Sequence, residues 1–138
     1  MVHCVFPGAF KDRQLLAVAE SYVKRLSAIW PVRIHEIEDE EGAIHRFLRK
    51  QTKGTIVSLD AEGKGMDSLD FTRWVTREPK DLFLVVWGAS GPAPACKALA
   101  TFSLSLSPMT ASHELARVFL LEQLYRAATI LKGHPYAK

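Results

Sequence analysis

Short apolar runs alternate with helical patterns along the chain. Residues 2–6, 55–59 and 82–86 are apolar enough for buried strands, and the last run is continuously apolar and β-branched, as in a central strand covered on both faces. Residues 32–37 alternate between apolar and polar, which is typical of a half-buried edge strand, and residues 104–107 form a fifth candidate strand. The pattern predicts an α/β sheet with helices on both faces.

Helical periodicity and end signals place a helix in each interval between these strands. The first predicted helix begins after Asp12 and stops by Pro31, and the second follows the acidic run 38–41. The third runs from about Ser68 to Thr76, and the fourth begins near Pro92 or Pro94. A fifth follows the last strand, from about Ser112 to Lys132. The acidic run reads best as the solvated, capped start of its helix. No internal repeat and no linker interrupts the order, so we expect one domain over residues 1–138.

The last predicted helix is apolar nearly all round. A single sheet face does not bury so broad an apolar surface, and a second partner is then needed. A homodimer is the economical partner for a chain of 138 residues. A helix buried deep within the monomer is the alternative.

Composition narrows the class of protein. With 48% hydrophobic and 24% charged residues the chain is not disordered, and no apolar run approaches the length of a membrane span. The start lacks the features of a signal peptide, and Cys4 and Cys96 lack the spacing of a disulfide framework or zinc site. We therefore expect a soluble, cytoplasmic protein. The whole net charge of +3 falls in residues 97–138, which suits a phosphate-bearing partner and equally an ordinary surface.

Candidate chemistry concentrates where predicted strands end. Residues 59–60, 88–91 and 107–110 carry small or permissive residues at such ends, where ligands bind in open α/β sheets. Neither GxGxxG nor a P-loop is present, and the five histidines show no metal-ligand spacing. Taken alone, the glycine pair at 88 and 91 is equally compatible with a structural turn.

A second set of polar and aromatic residues lies on the last helix and the tail after it. His113 and Arg117 are four residues apart and share a helix face. The structural alternative is that this pair lies on an ordinary surface and that the aromatic residues of the set only pack against the fold. The set is His113, Arg117, Tyr125, Arg126, His134 and Tyr136.

Several motifs from residue 94 onward resemble the RlmH family of SPOUT-class methyltransferases. They are Pro94-Ala95-Cys96-Lys97, the strand end SLS-x-x-T at 105–110, H-x-x-x-R at 113–117, E-x-L-Y-R-A at 122–127 and His134-Pro135-Tyr136. The similarity covers the whole chain in length and element order. Members of this family methylate a pseudouridine at N3 in large-subunit (23S) ribosomal RNA.

The resemblance implies a trefoil-knotted parallel-sheet domain, a homodimer built largely from the last helix, and S-adenosylmethionine (SAM) as cofactor. A flat slot with backbone donors and acceptors suits the adenine, and the methyl group must point at the incoming base. The positions that match the family's cofactor site are Leu59, Gly88, Ser107, Pro108, Met109, Thr110, Ala111 and Ser112.

The resemblance also assigns the RNA side of the reaction. His113, Arg117 and Arg126 would face the RNA, and His134, Tyr136 and Arg117 would act in catalysis. His134 or the Tyr136 hydroxyl would take the N3 proton, with RNA phosphate or water as alternatives. The partners implied are 23S ribosomal RNA within the ribosome and a second copy of the chain, without membrane or metal.

Some positions depart from the family pattern. Trp87-Gly88 replaces Gly-Gly, Ala89-Ser90 replaces Pro-Glu, Ala111-Ser112 replaces Leu-Pro, and Ala137 replaces the His after the terminal HPY. The Trp87 indole either blocks the adenine slot or points into the core. A noncatalytic, ribosome- or RNA-binding dimer is the alternative function that these changes favour.

Overall fold

The computed structural model describes residues 1–136. In order, it contains β1 (Val2–Pro7), α1 (Arg13–Ser27), β2 (Val32–Ile37), α2 (Glu41–Arg49), β3 (Thr55–Gly65), α3 (Ser68–Arg77), β4 (Leu82–Val85), α4 (Pro94–Lys97), β5 (Phe102–Ser105) and α5 (His113–Lys132). Strands and helices alternate as the hydrophobic pattern predicts. Ala137, one of the departures noted above, lies outside the described residues.

The strands form one parallel sheet in the order β2-β1-β4-β3-β5. β4 lies in the middle with all of its residues buried, which confirms the prediction of a central strand. β2 is an edge strand with partly exposed residues, as its alternating pattern indicates. Parallel neighbours require crossover connections, and the helices supply them.

Helices cover both faces of this sheet, because successive side chains of a strand point to opposite faces. On one face, strand residues such as Cys4 and Leu84 pack with α1, α3 and α5. On the other face, Val5 and Val85 pack with α2 and α4. The predicted α/β architecture with two covered faces is confirmed.

The predicted helix ends are largely confirmed by side-chain caps. The Asp12 carboxylate accepts two amides of the first turn of α1, and the Ser112 hydroxyl accepts the Leu115 amide at the start of α5. α5 ends at Gly133, as expected. Ser112, one of the departures from the family pattern, is therefore a favourable N-cap.

The prediction that β3 stops at Asp60 is wrong. β3 continues to Gly65, because it returns to its neighbour β5 after an irregularity in the register. Both Leu59 and Lys64 pair with Leu104, so residues 60–63 form a bulge between two pairings with the same residue. Residues 60–63 are of types that usually end a strand, but here they lie within one long strand.

β5 also differs from its predicted bounds. It covers Phe102–Ser105 instead of residues 104–107. Phe102 is drawn into the sheet because its ring packs on Trp74 of α3, with ring centroids 5.4 Å apart. Residues 106–112 are consequently released to form the connection to α5.

α5 is buried on one face only. Leu120, Leu121 and Leu124 are fully buried against the sheet and its neighbouring helices, so part of the apolar surface is used within the chain. The rest of it remains exposed as an α5 stripe formed by Leu115, Phe119 and Ile130. No helix within residues 1–136 combines the length and apolarity that crossing a bilayer would take.

A histidine pair joins the neighbouring strands β1 and β2. His3 Nδ1 is 2.8 Å from His35 Nε2, and His3 Nε2 is 3.3 Å from Asp81 Oδ2. The His3 ring also stacks on Phe83, with centroids 4.2 Å apart. One of the two facing nitrogens must donate and the other accept, so protonation of both rings breaks the bond.

Acidification is expected to destabilise the fold through this pair. Burial, assisted by the charges of His3 and Arg33, lowers the pKa of His35. The unfolded chain therefore takes up this proton at higher pH than the folded chain. The free energy of unfolding should fall as the pH drops below the ordinary histidine pKa of about 6.5. Urea denaturation between about pH 7.5 and about pH 5.5 measures this slope.

His35→Gln should flatten the slope, because Gln can still hydrogen-bond His3 without titrating. His45→Gln is the matched control, since it removes a histidine of α2 outside this pair. An equal flattening by both variants would show that the His3–His35 contact is not the origin of the slope.

Candidate active site

Three segments predicted to hold the cofactor leave the sheet at one edge. β3 lies between β4 and β5, and Leu59 pairs with Leu104 of β5. Gly88 follows β4, and Ser107 follows β5. Leu59 follows the last pairing of β3 with β4, at Ser58 and Val85, and the carboxyl ends of β4 and β5 share an edge, so Leu59, Gly88 and Ser107 belong to the same side of the molecule. All three are half-buried.

The connection between β5 and α5 offers open backbone. Residues 108–112 are exposed. The Met109 amide donates to Ser107 Oγ at 3.1 Å. Within the described residues, the amides of Ser107, Thr110 and Ala111 have no hydrogen-bond partner. Free amides beside half-buried Leu59 and Gly88 are the kind of surface that an adenine ring requires.

Gly88 is in close contact with an acidic side chain that sequence reasoning assigned to the solvated start of α2. A Cβ atom at Gly88 would lie 2.6 Å from Asp39 Oδ2, so position 88 has no room for a side chain as the loop stands. The Asp39 carboxylate is exposed. Only its place at the end of the edge strand β2 signals this approach, because the acidic run has no other mark at Asp39.

Trp87 points into the core. Its indole Nε1 donates to Ser58 Oγ at 2.7 Å, and both side chains are buried. The ring belongs to the apolar cluster between the sheet and the helices α2 and α4. The alternative in which Trp87 blocks the adenine slot is therefore wrong. Trp87 is consequently no argument for a noncatalytic protein.

Arg117 is buried within the chain, with none of its surface exposed. Its Nη2 donates to the Pro7 carbonyl at 2.6 Å, and the guanidinium lies 4.9 Å and 5.0 Å from the ring centroids of Phe6 and Phe10. Nε and Nη1 have no partner among the described residues. Burial lowers the pKa of Arg117. This position does not agree with the expectation that Arg117 faces RNA and acts in catalysis.

Glu114 joins Arg117 in fixing the first turns of α5. Its Oε1 accepts the amides of Lys11 and Asp12 at 3.0 Å and 3.1 Å. Both side chains therefore hold the connection between β1 and α1 from one face of α5. Glu114 was not among the predicted residues, and only its spacing of three residues from Arg117 indicates a shared face.

Tyr136 and Arg126 meet at Glu122 in the middle of α5. The Tyr136 hydroxyl and Arg126 Nη2 both donate to Glu122 Oε2 at 2.8 Å. Tyr22 lies 3.5 Å from the Tyr136 hydroxyl, and the Tyr125 ring packs edge-on against the Tyr136 ring. Burial, with Tyr22 and Glu122, raises the pKa of Tyr136 well above its usual range. Tyr136 is thereby a hydrogen-bond donor and a poor general base.

The remaining predicted residues lie at opposite ends of α5. His113 is half-buried at its first residue, and His134 is exposed just after its last turn. A helix of 20 residues is about 30 Å long at about 1.5 Å per residue. Within one chain, His134 therefore lies far from the connection 107–112, whereas the Tyr136 side chain folds back to Glu122 at the middle of the helix.

Two cavities lie beside this edge and not in it. One of about 550 Å³ runs along α3, between Lys64 and Glu78, and one of about 230 Å³ lies between Met66, Leu106 and Phe119. Neither includes Gly88 or residues 107–112. Among residues 1–136, no three His, Cys, Asp or Glu side chains gather as metal ligands.

Comparison with known proteins identifies the class. A family model described as "Predicted SPOUT methyltransferase" matches residues 1–137. The match spans nearly the whole chain, and the parallel sheet with two covered faces agrees with it. The chain is a SPOUT-class protein.

Within this class, the chain belongs to the family of ribosomal RNA large subunit methyltransferase H. It is 36% identical to the protein of that name from Coprothermobacter proteolyticus, over 99% of both chains. The namesake from Ruegeria pomeroyi is 43% identical over 81% of this chain and 78% of its own. Among solved structures, a Legionella pneumophila protein in complex with bound SAM shares the fold, with a TM-score of 0.57 at 14% identity. That alignment covers 91% of this chain and 66% of the other.

Substitution of Trp87 is expected to affect stability and not to open a cofactor slot. Trp87→Ala removes a buried ring and should lower the free energy of unfolding by about 3–5 kcal/mol. Trp87→Phe keeps an aromatic ring of smaller size and removes the bond to buried Ser58, at a cost of about 1–3 kcal/mol. Urea denaturation measures both. Tighter binding of SAM by either variant would contradict the position of the indole.

Proposed function

We propose that this protein transfers a methyl group from SAM to ribosomal RNA of the large subunit, at N3 of a pseudouridine in 23S RNA. Membership of the methyltransferase H family carries the proposal. The Legionella protein of the same fold binds SAM. Residues 1–138 would act as one SPOUT domain, with the chain knotted around the cofactor.

The proposed cofactor site combines Leu59, Gly88 and the segment Ser107–Ser112. Half-buried Leu59 supplies an apolar wall. The free amides of Ser107, Thr110 and Ala111 supply donors for the edge of a purine. The donor set therefore fits the adenosyl part of SAM, and Asp39 over Gly88 borders the same space.

The chemistry requires little more than orientation and removal of one proton. When bound, SAM supplies a methyl group on a positively charged sulfur that leaves as a neutral thioether. The chain's own residues must hold the base in line and accept the N3 proton. Exposed His134 is assigned the proton, while Tyr136, whose hydroxyl donates to Glu122, positions the target base.

Two copies of the chain would complete each site. His134 and the segment 107–112 lie at opposite ends of α5, about 30 Å apart. Two α5 helices packed antiparallel through the α5 stripe would place His134 and Tyr136 of one copy beside the cofactor segment of the other. The exposed apolar stripe supports this arrangement, because isolated monomers seldom leave such a face on a core helix uncovered.

RNA contacts are assigned to His113, at the first residue of α5, and to Arg126, in the second half of the helix. Arg126 is half-buried and shares Glu122 with Tyr136. Arg117 is omitted because its guanidinium is fully buried. The ribosome would supply the rest of the recognition, since the chain carries a net charge of only +3.

Titration of the protein with SAM by calorimetry tests the proposed activity. We expect saturable binding at micromolar to sub-millimolar SAM, followed by methyl transfer to ribosomes that lack the modification. A folded dimer that gives no heat with SAM would overturn the enzymatic proposal and favour a noncatalytic RNA-binding role.

Phe119→Asp is expected to convert the dimer to monomers, because it replaces the aromatic side chain of the α5 stripe with a charge. Sedimentation velocity measures the change. Leu69→Asp is the matched control, since Leu69 is also an exposed apolar side chain but lies on α3. A Phe119→Asp protein that remains dimeric would exclude the α5 stripe as the interface.

Mixing two inactive variants tests whether a site is shared between copies. His134→Ala removes the proposed base, and Thr110→Trp places a bulky side chain on the exposed cofactor segment. If the copies exchange, half of the dimers are mixed and each has one intact site, so about a quarter of the wild-type activity should return. No recovery in mixed dimers would show that each site is built from one chain.

A further inference from the structure

The bulge in β3 (residues 60–63) is held by a single carboxylate. Asp60 Oδ1 accepts the Glu62 amide at 2.9 Å, which closes the turn of the bulge on itself. Asp60 Oδ2 accepts a hydrogen bond from Lys97 Nζ at 2.7 Å. Both oxygens of Asp60 are thus occupied, one within the bulge and one across to α4.

The far side of the bulge is pressed against β5. A Cβ atom at Gly63 would lie 2.7 Å from the Ser103 carbonyl carbon and 2.8 Å from the Leu104 amide nitrogen. Only glycine allows this approach of two backbones. The bulge is therefore fixed on one side by backbone packing and on the other by Lys97.

Lys97 belongs to the segment that carries the glycine turn. α4 is only four residues long, and it follows residues 88–91, where the Gly91 amide donates to the Gly88 carbonyl at 2.9 Å. A helix so short has little stability of its own. The link from Lys97 to Asp60 ties it to β3, directly after Leu59.

Asp60 and Lys97 each stabilise the charged form of the other. The hydrogen bond with Lys97, followed by that with Glu62, lowers the pKa of Asp60, and the bond with Asp60 raises the pKa of Lys97. The Asp60 side chain is 22% exposed and the Lys97 side chain is 46% exposed. Ion pairs so close to solvent contribute little to the stability of a fold. The bridge is better suited to fixing geometry.

We propose that Asp60 and Lys97 are a positioning pair for the cofactor, fixing the distance between Leu59, just before the bulge in β3, and the glycine turn at Gly88. The inference rests on the proposed function, because both segments are assigned to SAM there. The pair itself touches neither the methyl group nor the RNA. It sets how closely the bulge after Leu59 and the segment after the glycine turn approach each other, beyond the last pairing of β3 with β4 at Ser58 and Val85.

Lys97→Met tests the pair by removing the charge while keeping the length of the side chain. We expect the dissociation constant for SAM, measured by calorimetry, and KM for SAM to rise about tenfold. The melting temperature and kcat should change little. Asp60→Asn should weaken SAM binding in the same direction and provides a second variant if Lys97→Met folds poorly. Lys97→Arg should restore most of the affinity, because it keeps a donor and charge within reach of Asp60.

Arg73→Met is the matched control, since it removes another exposed ion pair, to Asp70 at 3.2 Å on α3. It should leave SAM binding unchanged. Wild-type affinity in both Lys97→Met and Asp60→Asn would overturn the inference. A fall in melting temperature without a change in SAM affinity would likewise show a purely structural role. Failure of the wild-type protein to bind SAM would instead refute the proposed function itself.

Discussion

The parallel pairing of β4 between β1 and β3 is the constraint on which the rest of the structure depends. Its parallel neighbours must be joined by helices that cross over the sheet, and these helices bury β4 on both faces. Parallel strands in turn bring their carboxyl ends to one edge. The proposed cofactor segments meet at this edge because they follow neighbouring parallel strands of the sheet.

α5 connects this edge to the rest of the molecule. Glu114 and Arg117 fix its first turns to the connection after β1, and its middle is buried in the core. Burial of a guanidinium with two nitrogens that have no partner within residues 1–136 costs free energy, so stability alone does not explain Arg117. Its effect is to hold the start of α5, and hence the end of the segment 107–112, in one place.

The sequence predicts the order of elements well, because strand apolarity and helix caps are local signals. Asp12, Ser112 and Gly133 mark helix ends through contacts within a few residues. The extension of β3 is missed because it depends on pairing with Leu104, far along the chain. The same holds for the site. Its strand ends follow from topology, whereas the directions of Trp87 and Arg117 depend on partners such as Ser58 and Pro7 that no spacing reveals.

The length of α5 has a consequence for how this chain can change in evolution. Each inserted or deleted residue would turn the far end of the helix by about 100° and shift it by about 1.5 Å. Such a change would misalign the tail and the α5 stripe relative to the anchored start at Glu114 and Arg117. Insertions and deletions should therefore accumulate in the connections at the amino edge of the sheet, while the residue count between Ser112 and Gly133 stays constant.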